Sequence, residues 1–365
     1  MLQPLSKSTL VRVVVCVGML ALVCLPASAQ LVLKNEDVQF KFGVQGQFWA
    51  DWTQDSTAGT QGYQQNVYLR RMRLIVGGDI GKDISFFFQT DDPKLGLTPK
   101  ALGSGFIIQD AFVEWRANKA FMVEGGLMLV PLSRNTLQSP ASYYTLDLSP
   151  LTAVNNTSTQ SSGLRDAGFG SKGFFLKNKL QYRWGLFQGQ RDANAHNSLR
   201  TAGYVQYDFF DTETGYTFVG TALGKKKILA VDAGFDKQGS YRGLSSNIAA
   251  DLPVNHGDEI GGQFQYFHYD WQTKFPTIAN QNDYLVEGAY YIHKAKAQPF
   301  MKAEFQRFVA AANYSKDMNR FGAGVNYYIH GQNLKWTLQY LRALPQNSSL
   351  KPSNEFTMQL QLFYF

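Results

Sequence analysis

Across residues 38–52 apolar and polar side chains alternate. Val38, Phe40, Phe42, Val44, Gly46, Phe48, Ala50 and Trp52 fall on one phase, and Gln39, Lys41, Gly43, Gln45, Gln47, Trp49 and Asp51 on the other. Successive side chains of an extended chain point to opposite faces, so this segment is a strand with one greasy face and one wet face. An ordinary strand has about five or six residues. The longer run suits a tilted strand crossing a bilayer with lipid on one side and water on the other. A bundle of membrane helices is excluded, because no stretch after the first thirty residues approaches the roughly 20 apolar residues that a spanning helix needs.

The pattern recurs in pairs. Strands at 67–80 and 84–91 flank 81–83, and strands at 106–116 and 120–130 flank 117–119. Further pairs meet at 177–178, 211–215, 255–258, 293–297 and 331–333, and a last strand at 354–365 brings the count to sixteen. Between the pairs lie longer connections rich in Ser, Thr, Asn, Gln and Gly, at 54–65, 92–105, 131–165, 191–197, 272–281, 309–318 and 343–353. Short turns on one rim and long loops on the other are the asymmetry of an outer-membrane barrel. Proline falls in loops, turns or a strand start, never at a strand centre where it would delete a ladder hydrogen bond. A soluble sandwich would need shorter strands, and lipid tolerates no open sheet edge, so an even strand count points to closure. The expected fold is all-β, a 16-stranded antiparallel transmembrane β-barrel with an inserted constriction loop. Trp52, Trp115, Trp184 and Trp336 lie on the apolar phase, as interfacial residues would. At the C-terminus Phe363, Tyr364 and Phe365 are all aromatic, and there the alternation of residue type is lost.

The first residues read as an export address. Lys7 and Arg12 precede an apolar run at 13–25, and Ala27, Ser28 and Ala29 supply the small residues of a cleavage site. The expected organisation is a signal peptide at 1–29 and one barrel domain at 30–365. Cys16 and Cys24 both lie in the leader, which leaves no thiol chemistry for the exported chain. Lysine and arginine number 35 against 28 acidic residues, a net +7 that falls to +5 without Lys7 and Arg12. That balance has no dense basic block and gives no sign of nucleic-acid binding. His196, His256, His268, His293 and His330 are dispersed, without metal-ligand spacing or a neighbouring nucleophile, so neither an enzyme nor a cofactor is expected. A non-conducting structural or adhesive barrel is the principal alternative. It should fill its bore with bulky side chains, whereas the wet phase here carries Gly43, Gly77, Gly126, Gly168, Gly170, Gly185, Gly234, Gly261, Gly322 and Gly324.

Three stretches carry a more specific likeness: residues 68–74 (YLRRMRL) with Gly78 and Phe86 to Phe88, residues 109–116 (QDAFVEWR), and residues 223–229 (LGKKKIL). In order and spacing the sequence resembles the phosphate-selective porin O and P family. The resemblance implies a sixteen-stranded porin, normally a homotrimer, whose third long loop folds into the lumen. Here that loop is 131–165, the longest connection and mostly uncharged. The family binds phosphate through basic side chains in the pore and on the inserted loop. The alternation places Lys41, Arg71, Arg73, Arg116, Lys172, Arg183, Arg200, Lys302, Arg320 and Lys335 on the wet phase, and the loop adds Arg134 and Arg165 against Asp147. Arg71 and Arg73 share the motif and the phase, which makes them the leading anion-binding candidates. Acids on the same phase, such as Asp91, Asp110 and Glu304, weaken the field, so the expectation is passive diffusion of small hydrophilic solutes and ions with a weak anion or phosphate preference. The implied partners are small inorganic anions, hydrophilic solutes, outer-membrane lipid and lipopolysaccharide.

Overall fold

A computed structural model describes residues 31–55, 62–97, 103, 105–192, 194, 196–270 and 280–365. The expected leader at 1–29 lies outside the described residues, as do parts of the loops expected at 54–65, 92–105, 191–197 and 272–281. The strands are β1 (Leu31–Lys34), β2 (Val38–Gln54), β3 (Tyr63–Ile80), β4 (Ile84–Asp91), β5 (Ile107–Asn118), β6 (Phe121–Leu129), β7 (Arg165–Phe175), β8 (Leu180–Phe187) and β9 (Arg200–Asp208). They continue as β10 (Ile228–Gln238), β11 (Tyr241–Pro253), β12 (Glu259–Asp270), β13 (Gln281–Tyr291), β14 (Ala297–Phe308), β15 (Met318–His330), β16 (Leu334–Pro345) and β17 (Ser353–Tyr364).

From β2 to β17 each strand pairs antiparallel with the next, and β17 returns to β2 with Phe356 opposite Trp52 and Leu362 opposite Gly46. Sixteen strands therefore close a barrel, leaving no long edge for lipid to desolvate. The short β1 pairs with residues 39–42 of β2, just beyond the point where β17 ends against Val44.

Burial is inverted relative to a soluble protein. Gln47, Gln181, Gln206, Gln265, Asp283 and Gln361 are fully buried, whereas Phe48, Trp115, Phe169, Ile248, Ile260 and Met301 are exposed. Along β10 to β12, as far as Leu252 in β11, each buried residue is followed by a more exposed one. An apolar belt facing outward around a polar interior is stable only where hydrocarbon replaces water on the outside. All four expected interfacial tryptophans face outward, between 36% and 51% exposed.

The interior is occupied by the connection at 130–164, which crosses the bore and docks on strands all around it. Ser245 donates to the Leu132 carbonyl, Asn326 to Tyr144 (2.7 Å), Gln361 to Ala141 (2.9 Å) and Tyr269 to Leu151 (2.9 Å). Thr145 donates to Glu287 at 2.8 Å, and the Leu146 amide to Gln339 at 3.2 Å. Inward polar side chains thus satisfy backbone groups that an irregular loop could not satisfy by itself. The wall glycines serve the same docking. A Cβ on Gly234 would strike the Leu132 carbonyl, and one on Gly261 would meet the Tyr144 ring. Gly43 and Gly77 make room for Phe365 in the same way. The expectation that these glycines leave space for solvent is corrected at these positions, where the space holds packed protein.

Two further differences from the sequence reading have clear causes. The connection expected at 211–215 is the whole of 209–227, and it folds into the barrel from the short-turn rim. Its Tyr216 to Val219 run alternates like a strand but pairs with the inner loop: Phe218 exchanges backbone hydrogen bonds with Leu137 (2.7 Å) and Ser139 (2.9 Å) and is fully buried. At the C-terminus the geometric alternation persists. Phe363 and Phe365 line an interior cavity, so the inward positions have turned aromatic while their direction is unchanged.

Candidate functional site

The inner loop packs against the β8 to β13 wall through buried apolar clusters, including Leu132, Leu151, Tyr241, Phe267 and Tyr269, and Leu137, Tyr204 and Phe218. Open interior space lies on the other side, along β2 to β7. One cavity of about 470 Å³ is lined by Arg70, Arg71, Arg73, Arg165, Tyr143 and Asp147, with Pro93, Ile107 and Pro150 toward the long-loop rim. A second, of about 260 Å³, is lined by Gln45, Phe87, Tyr216, Phe363 and Phe365 toward the short-turn rim. The two share Arg73, Pro140 and Arg165, which form the partition between them.

A β-bulge brings the arginines together. Gln47 pairs with Arg71 but the next residue, Phe48, pairs with Leu69, so Arg70 is the extra residue in β3. The bulge resets the alternation, and two consecutive arginines turn inward onto one carboxylate of the inner loop. Arg70 meets Asp147 at 2.7 Å and Arg71 meets it at 2.6 Å. Arg73 pairs with Asp91 at 2.9 Å. Arg165 grips both oxygens of Asp110 at 3.1 Å, and the Tyr216 hydroxyl donates to the same carboxylate at 2.6 Å. Burial would raise the Asp147 carboxyl, but Arg70 and Arg71 outweigh it and hold the group well below the usual carboxylate range. Burial pushes the Tyr143 hydroxyl up to about 12 in spite of Arg71, so it remains a neutral donor. Four guanidinium groups thus face three carboxylates, and the passage carries one net positive charge.

The other predicted cations lie elsewhere. Arg183 donates to the carbonyls of Tyr216 and Gly215 at 2.7 Å each and stacks over Phe218. Arg134 is buried and bolts the inner loop to Glu213 of the 209–227 segment. Arg200 is buried against Asp236 (2.7 Å) and Asp166 (3.4 Å). Lys302 pairs with Glu304 at 3.0 Å and Arg320 approaches the same residue at 3.7 Å, on the opposite wall. Arg116 pairs with Asp79 at 2.7 Å near the short-turn rim, and neither it nor half-buried Lys41 lines either cavity. Of the candidates, Arg71, Arg73 and Arg165 meet in one place, and Arg70 joins them.

Residues 42–227, a little over half of the chain, match the family described as phosphate-selective porin O and P. The chain belongs to this family. No curated protein matches it at a significant level. Among solved structures, this porin is similar to the anion-selective porin from Comamonas acidovorans, with 13% identity over 90% of this chain and 100% of that one and a TM-score of 0.61. The outer-membrane channel DcaP of Acinetobacter baumannii is 9% identical over 91% and 99% of the two chains, with a TM-score of 0.60. The trimer form of OmpT, an outer-membrane protein of Vibrio cholerae, is 12% identical over 90% and 100%, also with a TM-score of 0.60. At these identities the likeness concerns the fold. Together with the family match and the lipid-facing belt, it makes this porin a channel-forming barrel of the bacterial outer membrane.

Proposed function

We propose that this porin carries small hydrophilic solutes and ions by passive diffusion along the passage between the inner loop and the β2 to β7 wall, with a weak preference for anions. The supporting observation is the partition, where Arg73 and Arg165 border both cavities with Arg70 and Arg71 just above. Guanidinium groups suit phosphate and carboxylate oxygens, and several weak cationic positions in series allow both entry and exit. The preference is weak because Asp91, Asp110 and Asp147 neutralise three of the four charges. Inorganic phosphate is one anion among those accepted. The OmpT structure is of a trimer form, and this porin works as a homotrimer. Transport is its role; catalysis is not.

Measurement of the zero-current potential in a salt gradient tests this reading. Neutralising Arg71 and Arg73 together (Arg71→Gln, Arg73→Gln) is expected to move that potential toward cation selectivity. An unchanged potential in a correctly folded double variant rejects the assignment.

A further inference from the structure

The lipid-facing wall carries a groove of about 610 Å³ across β13 to β16. Two transverse rows of outward residues make it. Val286, Ala303, Phe321 and Arg342 stand side by side in one row, and Gly288, Met301, Ala323 and Tyr340 in the next. The small residues Gly288, Ala303 and Ala323 lower the surface between their large neighbours. Elsewhere on the belt, large aromatic and aliphatic side chains stand out from the wall.

Arg342 closes the loop-side end of the groove. It lies on the outward phase of β16, is exposed, and has no ion pair among the described residues. A cation on the lipid face is unfavourable away from the interface, and every other outward residue of the two rows is uncharged. A counter-charge for Arg342 therefore comes from outside the barrel. Beside it the Tyr340 hydroxyl donates to Asn354 at 2.6 Å, fixing the ring as one bank of the groove. The long loops of such barrels face outward from the cell, so Arg342, three residues from the loop end of its strand, stands at the headgroup level of the outer leaflet.

We propose that this groove seats an acyl chain of lipopolysaccharide, the phosphorylated glycolipid of the outer leaflet, with a lipid phosphate on Arg342. Shape and charge act together: the slot accepts a methylene chain, and its outward arginine, without an ion pair among the described residues, sits where an anionic headgroup would be.

Full-length protein extracted from outer membranes in mild detergent should retain lipopolysaccharide in native mass spectrometry. Delipidated protein exchanged into phosphatidylethanolamine nanodiscs should then bind bis-phosphorylated lipid A in preference to dephosphorylated lipid A or phosphatidylglycerol. Arg342→Gln should weaken that binding about fivefold, the contribution of one interfacial cation. Ala323→Phe, which fills the groove, should weaken it comparably, and Lys351→Gln on a neighbouring loop should not. Binding unaffected by both Arg342→Gln and Ala323→Phe would overturn the proposal. So would equal binding of the three lipids, or loss of the oligomer in Ala323→Phe with lipid retention intact, which would assign the groove to a second copy of the chain.

Discussion

Asp147 is the most informative residue to change, because it is the one inner-loop carboxylate that answers two arginines. Asp147→Asn keeps the size and one acceptor oxygen but removes a unit of negative charge, which takes the passage from one net positive charge to two. An ion crossing the partition at about 8 Å from the lost charge, in a water-like dielectric, feels about 0.5 kcal/mol. The change favours anions and opposes cations by the same amount. Their permeability ratio therefore moves by about 1 kcal/mol, roughly fivefold at low salt. At physiological ionic strength the screening length is about 8 Å and the shift falls to roughly twofold. The assay is the zero-current potential of purified protein in planar bilayers at both ionic strengths, with heat-modifiable gel mobility as the check on folding. A more anion-selective channel whose gain shrinks with salt is expected. An unchanged ratio at low salt would show that permeating ions do not pass Asp147, and a shift toward cations would refute the charge count.

Glu213→Gln should loosen the inner loop from below. Breaking a buried pair leaves the Arg134 guanidinium uncompensated, at a cost of about 3–5 kcal/mol; a lower thermal midpoint and larger single-channel conductance are expected, and an unaltered channel would contradict the bolt. Gly234→Val places a side chain against the Leu132 carbonyl; strand content by circular dichroism should hold while open-channel noise rises, and recordings no noisier than those of the unmodified protein would argue against docking there. The Asp147 contribution to selectivity, read as the difference between the unmodified protein and Asp147→Asn, should be flat from pH 7 to about pH 5. Because the Asp147 pKa is depressed, its clamp on Arg70 and Arg71 is complete above the ordinary aspartate value near 3.9 and is lost only as pH falls through the lower folded value. A step between pH 5 and 7 that is present in the unmodified protein and absent in Asp147→Asn would contradict that, and Asp147→Asn should remove the Asp147 component of any change at lower pH.

The barrel was legible because lipid and water impose a binary pattern on every strand: the segment read at 84–91 is observed as β4 with the same ends. Arg70 was harder to place, since strict alternation points it into lipid. A clue lay in the Arg70-Arg71 doublet itself. One of two adjacent arginines in a regular strand must face hydrocarbon, at about 2–4 kcal/mol near the bilayer midplane, so a bulge is the cheaper solution. Gln109 and Asp110 show the same device in β5, where the register slips between Gln89 and Thr90 and both side chains are buried. The 209–227 segment had no comparable warning, because a short alternating run looks the same whether it pairs with a wall or with a loop inside it. Ion pairing was also beyond the sequence: that Arg134 and Arg200 lie in buried pairs away from the two cavities, while Arg73 and Arg165, also paired with acids, border them, depends on contacts across the bore.

Conductance of the unmodified protein in a planar bilayer tests the central claim most directly. The account predicts stable ion-conducting steps in potassium chloride, with a zero-current potential of modest anion-selective sign that persists when phosphate replaces chloride. A correctly folded barrel that conducts no ions would contradict it.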